Sequence, residues 1–205
     1  MKGHGEFCPV ATAAALLAER WTLLVVRELL MGSRHFNQLR RGLPRMSPTL
    51  LSKRLAFLQE QGVIVREESD DGSGWTYGLT EAGRELFPLI ETMGHWGKRW
   101  VATSLRRTDI DVRLMMWGMH REFKLAALPA PRLVLEIDLV DGGRDGSRFW
   151  LILERDGGLP DLCLQDPGHE LDAILTTDVV TLAKVYTGDT AFEQARLSGR
   201  LRVQA

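Results

Sequence analysis

Residues 36–62 read FNQLRRGLPRMSPTLLSKRLAFLQEQG, two short helical patterns divided by the turn signal Gly42-Leu43-Pro44. In the first pattern Phe36 and Leu39 point inward and leave Arg40 and Arg41 outward. The second opens at Ser47-Pro48, a serine cap followed by proline at the first helical position, and Gly62 closes it. At about 100° per residue, Leu51, Leu55 and Leu58 form one stripe, flanked by Leu50 and Phe57. Thr49, Ser52, Lys53, Ala56 and Glu60 collect on the other side. Small polar side chains near a helix start suit a major groove, where bulky apolar groups would strike the base edges. Residues 36–58 therefore have a helix-turn-helix outline. A surface helix of an ordinary bundle would show the same faces, so the flanking sequence must separate the two readings.

That flank is a hairpin signal. Val63-Ile64-Val65 is a β run, 69–74 is a turn cluster, and Trp75 to Leu79 returns. It is a candidate wing. Arg66 is its basic residue, Asp70 and Asp71 at the tip repel phosphate, and Trp75 and Tyr77 read as packing beneath it. Upstream, Ala11 to Ala18 and Trp21 to Met31 are two helices, the second with almost no polar face and so expected at the buried centre. Downstream, Thr80 caps a helix expected to reach about Arg106, bent or restarted near Pro88. Along it Leu86, Ile90, Met93, Trp96 and Trp100 recur at helical spacing. Such a stripe is either core or a subunit interface. Its length and aromatic end favour the interface, since a lone winged helix reads only one half-site.

Charge supports the same assignment. The 205 residues have a net charge of −1, but 20–66 hold nine Lys/Arg against only Glu28 and Glu60. Such a basic patch is an electrostatic footprint for phosphate. The candidate DNA contacts are Arg34, Asn37, Arg40, Arg41, Ser47, Thr49, Ser52, Lys53, Arg54 and Arg66.

Residues 8–100 closely resemble the HxlR-type winged helix-turn-helix regulators of bacteria. The matching text is Cys8-Pro9-Val10-Ala11, Glu19-Arg20-Trp21-Thr22-Leu23-Leu24, Phe36-Asn37-Gln38-Leu39, Met46 to Leu55, and Tyr77-Gly78-Leu79-Thr80-Glu81-Ala82-Gly83. The resemblance implies a homodimer on a roughly palindromic operator in double-stranded DNA. The family wing often carries an arginine near Gly74-Trp75, and that arginine is missing here. Some members use the cysteine at the Cys8 position as a redox switch, so Cys8 reads either as a packing residue or as an oxidisable thiol.

The second half changes character. Asp109 to Lys124 reads as a Met- and Trp-rich amphipathic helix, and Leu128-Pro129-Ala130-Pro131 breaks it. Strands are expected at 132–140, 148–156, 161–165, 171–176 and 200–203, with helices at 179–186 and 190–197. The whole is α+β: a winged helix-turn-helix domain, residues 1–106, followed by a smaller α+β domain, residues 107–205, with a mainly antiparallel sheet. Residues 110–204 resemble the sterol-carrier-type lipid-binding fold. The resemblance rests on Leu162-Cys163-Leu164-Gln165-Asp166-Pro167, Leu171 to Thr176, Leu182 to Gly188 and Leu197 to Val203. That family commonly adds a further helix where this sequence stops, which leaves a cavity open, covered by a second subunit, or missing. Met115, Met116, Trp117, Met119 and Phe123 on the helix, with Phe149 and Trp150 on a strand, read as a pocket for a small hydrophobic ligand or as plain core.

Other classes lack their signatures. There is no GxSxG, Walker loop, strand-linked GxGxxG or HExxH, so no enzyme is expected. The five histidines share no ligand spacing and the two cysteines form no CxxC, so neither metal nor cofactor is expected. No apolar run approaches the roughly 20 residues that span a bilayer. The apolar stretch 10–18 is short and runs into Glu19-Arg20, which argues against a signal peptide. The expectation is a cytoplasmic, dimeric DNA-binding transcriptional regulator. The competing expectation is a hydrophobic-ligand carrier or sensor whose winged helix is an interaction module.

Overall fold

A computed structural model describes residues 8–69, 72, 74–101, 106–143, 146–157 and 159–205. The chain divides into two compact units, Met1–Thr103 and Ser104–Ala205. No single helix among the described residues is long and apolar enough to cross a membrane.

The first unit runs α1 (Pro9–Leu17), α2 (Thr22–Leu30), α3 (Phe36–Gly42), α4 (Pro48–Glu60), β1 (Ile64–Glu68), β2 (Trp75–Leu79), α5 (Glu81–Arg84) and α6 (Phe87–Trp100). Its core joins Val25, Val26 and Leu29 of α2 to Leu39 of α3 and to Leu51, Leu55 and Leu58 of α4. The apolar sequence of α2 does not bury evenly. Leu24 is exposed while Glu28 is fully buried. The Glu28 carboxylate accepts from Arg27 at 2.7 Å, and a buried charge persists only with such partners. Trp21, before α2, sits in the left-handed region at φ 77° and packs against the core.

Strands β1 and β2 pair antiparallel from Ile64 opposite Leu79 to Glu68 opposite Trp75. A third short segment joins them: His35 bridges Thr76, and the Tyr77 amide donates to the Arg34 carbonyl at 2.8 Å. The predicted tip residues Asp70 and Asp71 lie outside the described residues. After the hairpin the helix expected to bend or restart near Pro88 does restart there, as two helices. Thr80 Oγ1 accepts from the Gly83 amide at 3.2 Å and caps α5. The chain then restarts as α6, with Pro88 in its first turn, and α6 ends at Trp100 rather than near Arg106.

The second unit runs α7 (Val112–Met119), β3 (Arg132–Leu139), β4 (Arg148–Glu154), β5 (Asp161–Cys163), β6 (Ala173–Thr177), α8 (Val179–Tyr186), α9 (Phe192–Leu197) and β7 (Leu201–Gln204). The expected helix over 109–124 is only the eight residues of α7, flanked by 3₁₀ turns at Arg107–Asp109 and His120–Glu122. Asp111 caps α7 by accepting from the Leu114 amide at 3.0 Å. The sheet order is β5-β4-β3-β6-β7. Its pairings are antiparallel except β3 with β6, which run parallel, so the sheet is mixed. Local turn signals revealed the hairpins, but the crossover that brings β6 beside β3 leaves no such signal. One sheet face, from Ile137, Leu139, Phe149, Leu151 and Leu153, packs on α7 and α8.

Candidate nucleic-acid interface and the cavity of the second unit

The geometry of α4 begins at its cap. Ser47 is extended and its Oγ accepts from the Leu50 amide at 3.3 Å, while Pro48 opens the helix. Leu51, Leu55 and Leu58 are buried, and the 3.6-residue period turns Thr49, Ser52, Lys53, Ala56 and Glu60 to solvent. The Ser52 hydroxyl donates back to the Pro48 carbonyl at 3.1 Å, so toward a partner it is chiefly an acceptor. Helix α4 ends before Gly62, whose φ of 70° suits glycine in the left-handed turn.

Helix α3 is fixed by Gln38, whose Oε1 accepts from the Arg34 and His35 amides at 2.7 and 3.0 Å. Leu39 anchors it in the core and Asn37, Arg40 and Arg41 are exposed. Arg34 is exposed beside β2: a Cβ on Gly78 would lie 3.8 Å from its Nη1. Both α3 and α4 pack on α2. Two buried anchors thus hold two exposed polar faces on consecutive helices.

Two predicted contacts sit differently. Arg54 is no surface cation: its side chain is 12% exposed and its Nη2 pairs with Glu19 Oε2 at 2.9 Å. Helical spacing cannot show that Glu19, 35 residues earlier, meets Arg54 there. On the wing, Trp75 is not tucked beneath the hairpin. It is 45% exposed, and the Arg66 guanidinium stacks 4.0 Å from its ring. Tyr77 does pack against the core. The stacked Arg66–Trp75 pair is a surface feature that sequence spacing missed, because it joins residues on different strands across the pleat.

The predicted interface stripe splits in two. Leu86 and Ile90 are half-buried against the unit's own core. Met93, Trp96 and Trp100 are exposed, the tryptophans at 60% and 61%. Helix α1 likewise buries no residue, although it reads PVATAAALL. Cys8 is exposed at its start.

The second unit holds a cavity of about 440 Å³ between sheet and helices. Of the seven predicted pocket residues, Met119 and Phe123 line it. Met115, Met116 and Phe149 are instead buried in the core. Trp150 projects from the other sheet face, its Nε1 donating to Glu136 Oε2 at 3.1 Å. Trp117 meets His120 in a tilted ring contact, centroids 4.7 Å apart, with the Arg121 guanidinium over the Trp117 ring. The cavity wall comes mainly from elements that composition did not single out: Leu135 and Ile137 of β3, Leu175 of β6, Leu201 and Val203 of β7, and Phe192 of α9. Burial lowers the His120 pKa, and on the edge strand β5 burial raises that of the Cys163 thiol. Among the described residues no three His, Cys, Asp or Glu side chains converge as a metal site.

Helices α2 to α4 followed by a two-stranded hairpin make the first unit a winged helix-turn-helix domain. Residues 16–105 match the family model described as HxlR-like helix-turn-helix. Rv3095 of Mycobacterium tuberculosis, an uncharacterised HTH-type transcriptional regulator, is 45% identical over 117 residues, 57% of this chain and 73% of that protein. YvaP of Bacillus subtilis, also an uncharacterised HTH-type transcriptional regulator, is 34% identical over 103 residues, 49% of this chain and 95% of that one. The solved reduced form of the transcriptional regulator YodB from B. subtilis aligns at 25% identity, covering 49% of this chain and 100% of that one, with a TM-score of 0.42. The chain belongs to the HxlR-like helix-turn-helix family of transcriptional regulators.

Proposed function

We propose that this protein controls transcription as a cytoplasmic homodimer on a palindromic DNA operator, and that a hydrophobic molecule in its second, sterol-carrier-like domain modulates it. The observation that carries the reading is the exposed strip Thr49, Ser52 and Lys53 on a helix whose opposite side is locked in the core. Those side chains enter the major groove, and Arg34, Asn37, Arg40 and Arg41 reach the phosphates. Arg66, stacked on Trp75, serves the wing. Two copies meet through Met93, Trp96 and Trp100 of α6, with α1 as further apolar cover; patches this apolar on a small unit mark association surfaces. A ligand changes operator affinity only so far as it binds two dimer geometries unequally.

Selection from a random DNA pool with the purified chain tests this. Inverted half-sites should be enriched, with centres about one helical turn apart, roughly 10 base pairs, or a multiple of it. Enrichment of no sequence, or of single half-sites without symmetry, contradicts operator recognition by a dimer. The cavity favours a second reading, a hydrophobic-ligand carrier whose winged helix only docks to a partner. Under that reading the random pool yields nothing and ligand binding is indifferent to DNA.

A further inference from the structure

The cavity of the second unit lies between a floor of sheet and a helical roof, and its wall is hydrocarbon throughout. Leu135, Leu175 and Val203 belong to the floor, on β3, β6 and β7, and Phe123, Tyr186 and Phe192 to the roof. Leu135 and Leu175 pack toward the helices yet are only half-buried, and the cover they lack is on the cavity side. The polar groups nearby are turned away or already engaged. The Tyr186 hydroxyl donates to Glu122 Oε1 at 2.9 Å, and the exposed Glu122 carboxylate stays in water. The Thr177 hydroxyl, on the same face of β6 as Leu175, donates to the Arg200 carbonyl at 2.9 Å. Among the described residues the second unit has no buried side-chain nitrogen or oxygen left without a partner.

We infer that the cavity takes an uncharged hydrocarbon body, an arene or a terpene, with no hydrogen-bonding group inside the wall. This names a ligand class and rests on the reading of the cavity as the ligand site proposed above. A hydroxyl or carboxylate carried inward gives up its water and meets no donor or acceptor, which costs affinity. A carbon skeleton loses no hydrogen bond on entry and gains in proportion to the apolar area it removes from water. Water is a poor rival for the space, since a buried water needs several polar partners. The volume lies within the roughly 300–1,000 Å³ of small-molecule sites, so the body is of that size. The rings of Phe123, Tyr186 and Phe192 offer an arene edge and face contacts. Fatty acids and amines fit only with the charged head left outside in water.

The test uses three probes of similar shape, para-diethylbenzene, para-benzenedimethanol and terephthalate, titrated calorimetrically into the full chain near neutral pH. Their substituents sit at opposite ends of one ring, so whichever way a probe enters, one end is carried inside. Para-diethylbenzene should bind about a hundredfold more tightly than the diol, with terephthalate weakest. Ala173→Phe puts a ring into the cavity from β6 and should weaken para-diethylbenzene at least about tenfold. Val203→Trp, on the exposed edge strand β7, should do the same without disturbing the core. Comparable affinity for the diol, or a preference for terephthalate, overturns the hydrocarbon assignment while the ligand site itself stands. Binding of para-diethylbenzene that survives both substitutions places the guest elsewhere and overturns the assignment as well. Failure of all three probes to bind overturns both the assignment and the ligand site.

Discussion

Raising salt from about 50 to about 200 mM is expected to weaken operator binding by about 10³- to 10⁵-fold. The reason lies in which cations the fold presents to phosphate. Arg27 is turned to Glu28 and Arg54 to Glu19. Arg34, Arg40, Arg41, Arg45 and Lys53 are exposed. Two subunits of the proposed dimer would then offer on the order of ten phosphate contacts, each releasing condensed counterions on binding. Lys53→Ala should lower the slope of log affinity against log salt by about one per subunit. Its thermal midpoint should not move, because Lys53 is exposed on the face of α4 turned away from the core. Fluorescence anisotropy on the selected operator across a salt series measures both. A flat salt response would remove DNA as the partner and leave the carrier reading.

Leu51→Ala should behave in the opposite way and cost about 2–5 kcal/mol of folding stability. Leu51 is fully buried on α4 among Leu55, Leu58 and the valines of α2. Truncation leaves a void that neighbours on three helices cannot collapse to fill. The adjacent Ser52→Ala lies on the exposed face and should stay within about 0.5 kcal/mol. Urea unfolding followed by circular dichroism reads both values. A neutral Leu51→Ala would mean that α4 is not held as described, and the exposure of Lys53 would lose its structural basis.

The first unit was legible because its elements carry local signatures. Ser47-Pro48 marked a start, Gly62 a stop, and leucines at helical spacing marked the buried side of α4; each is a property of neighbouring residues. What escaped depends on meetings across distance. Glu19 finds Arg54, Arg66 crosses strands to Trp75, and α2 buries Glu28 while exposing Leu24. Hydropathy ranks a leucine above a glutamate for burial, but it cannot see the arginine that makes the glutamate tolerable. The second unit was less legible for the same reason. Methionine and tryptophan content pointed to α7 and β4, yet only Met119 and Phe123 of that set face the cavity. Met115, Met116 and Met119 share one face of α7 at i+3 and i+4 spacing; the first two fill the core and Met119, at the helix end, packs against that core and also reaches the cavity. The Glu122–Tyr186 pair, 64 residues apart, had no sequence signal at all.

The lone parallel pairing of the second unit imposes an order in time. Strands β3, β4 and β5 are neighbours in sequence and in space, so they can zip together as soon as that stretch of chain is free. Strand β6 must return to the far side of β3, where Asp172 Oδ2 accepts from the Val134 amide, 38 residues away, at 2.7 Å. Closing that loop costs entropy before any pairing rewards it. Truncating Leu151 on β4 should therefore slow folding, whereas truncating Leu175 on β6 should chiefly speed unfolding. Stopped-flow measurements showing the reverse would mean that the crossover, not the meander, nucleates the sheet.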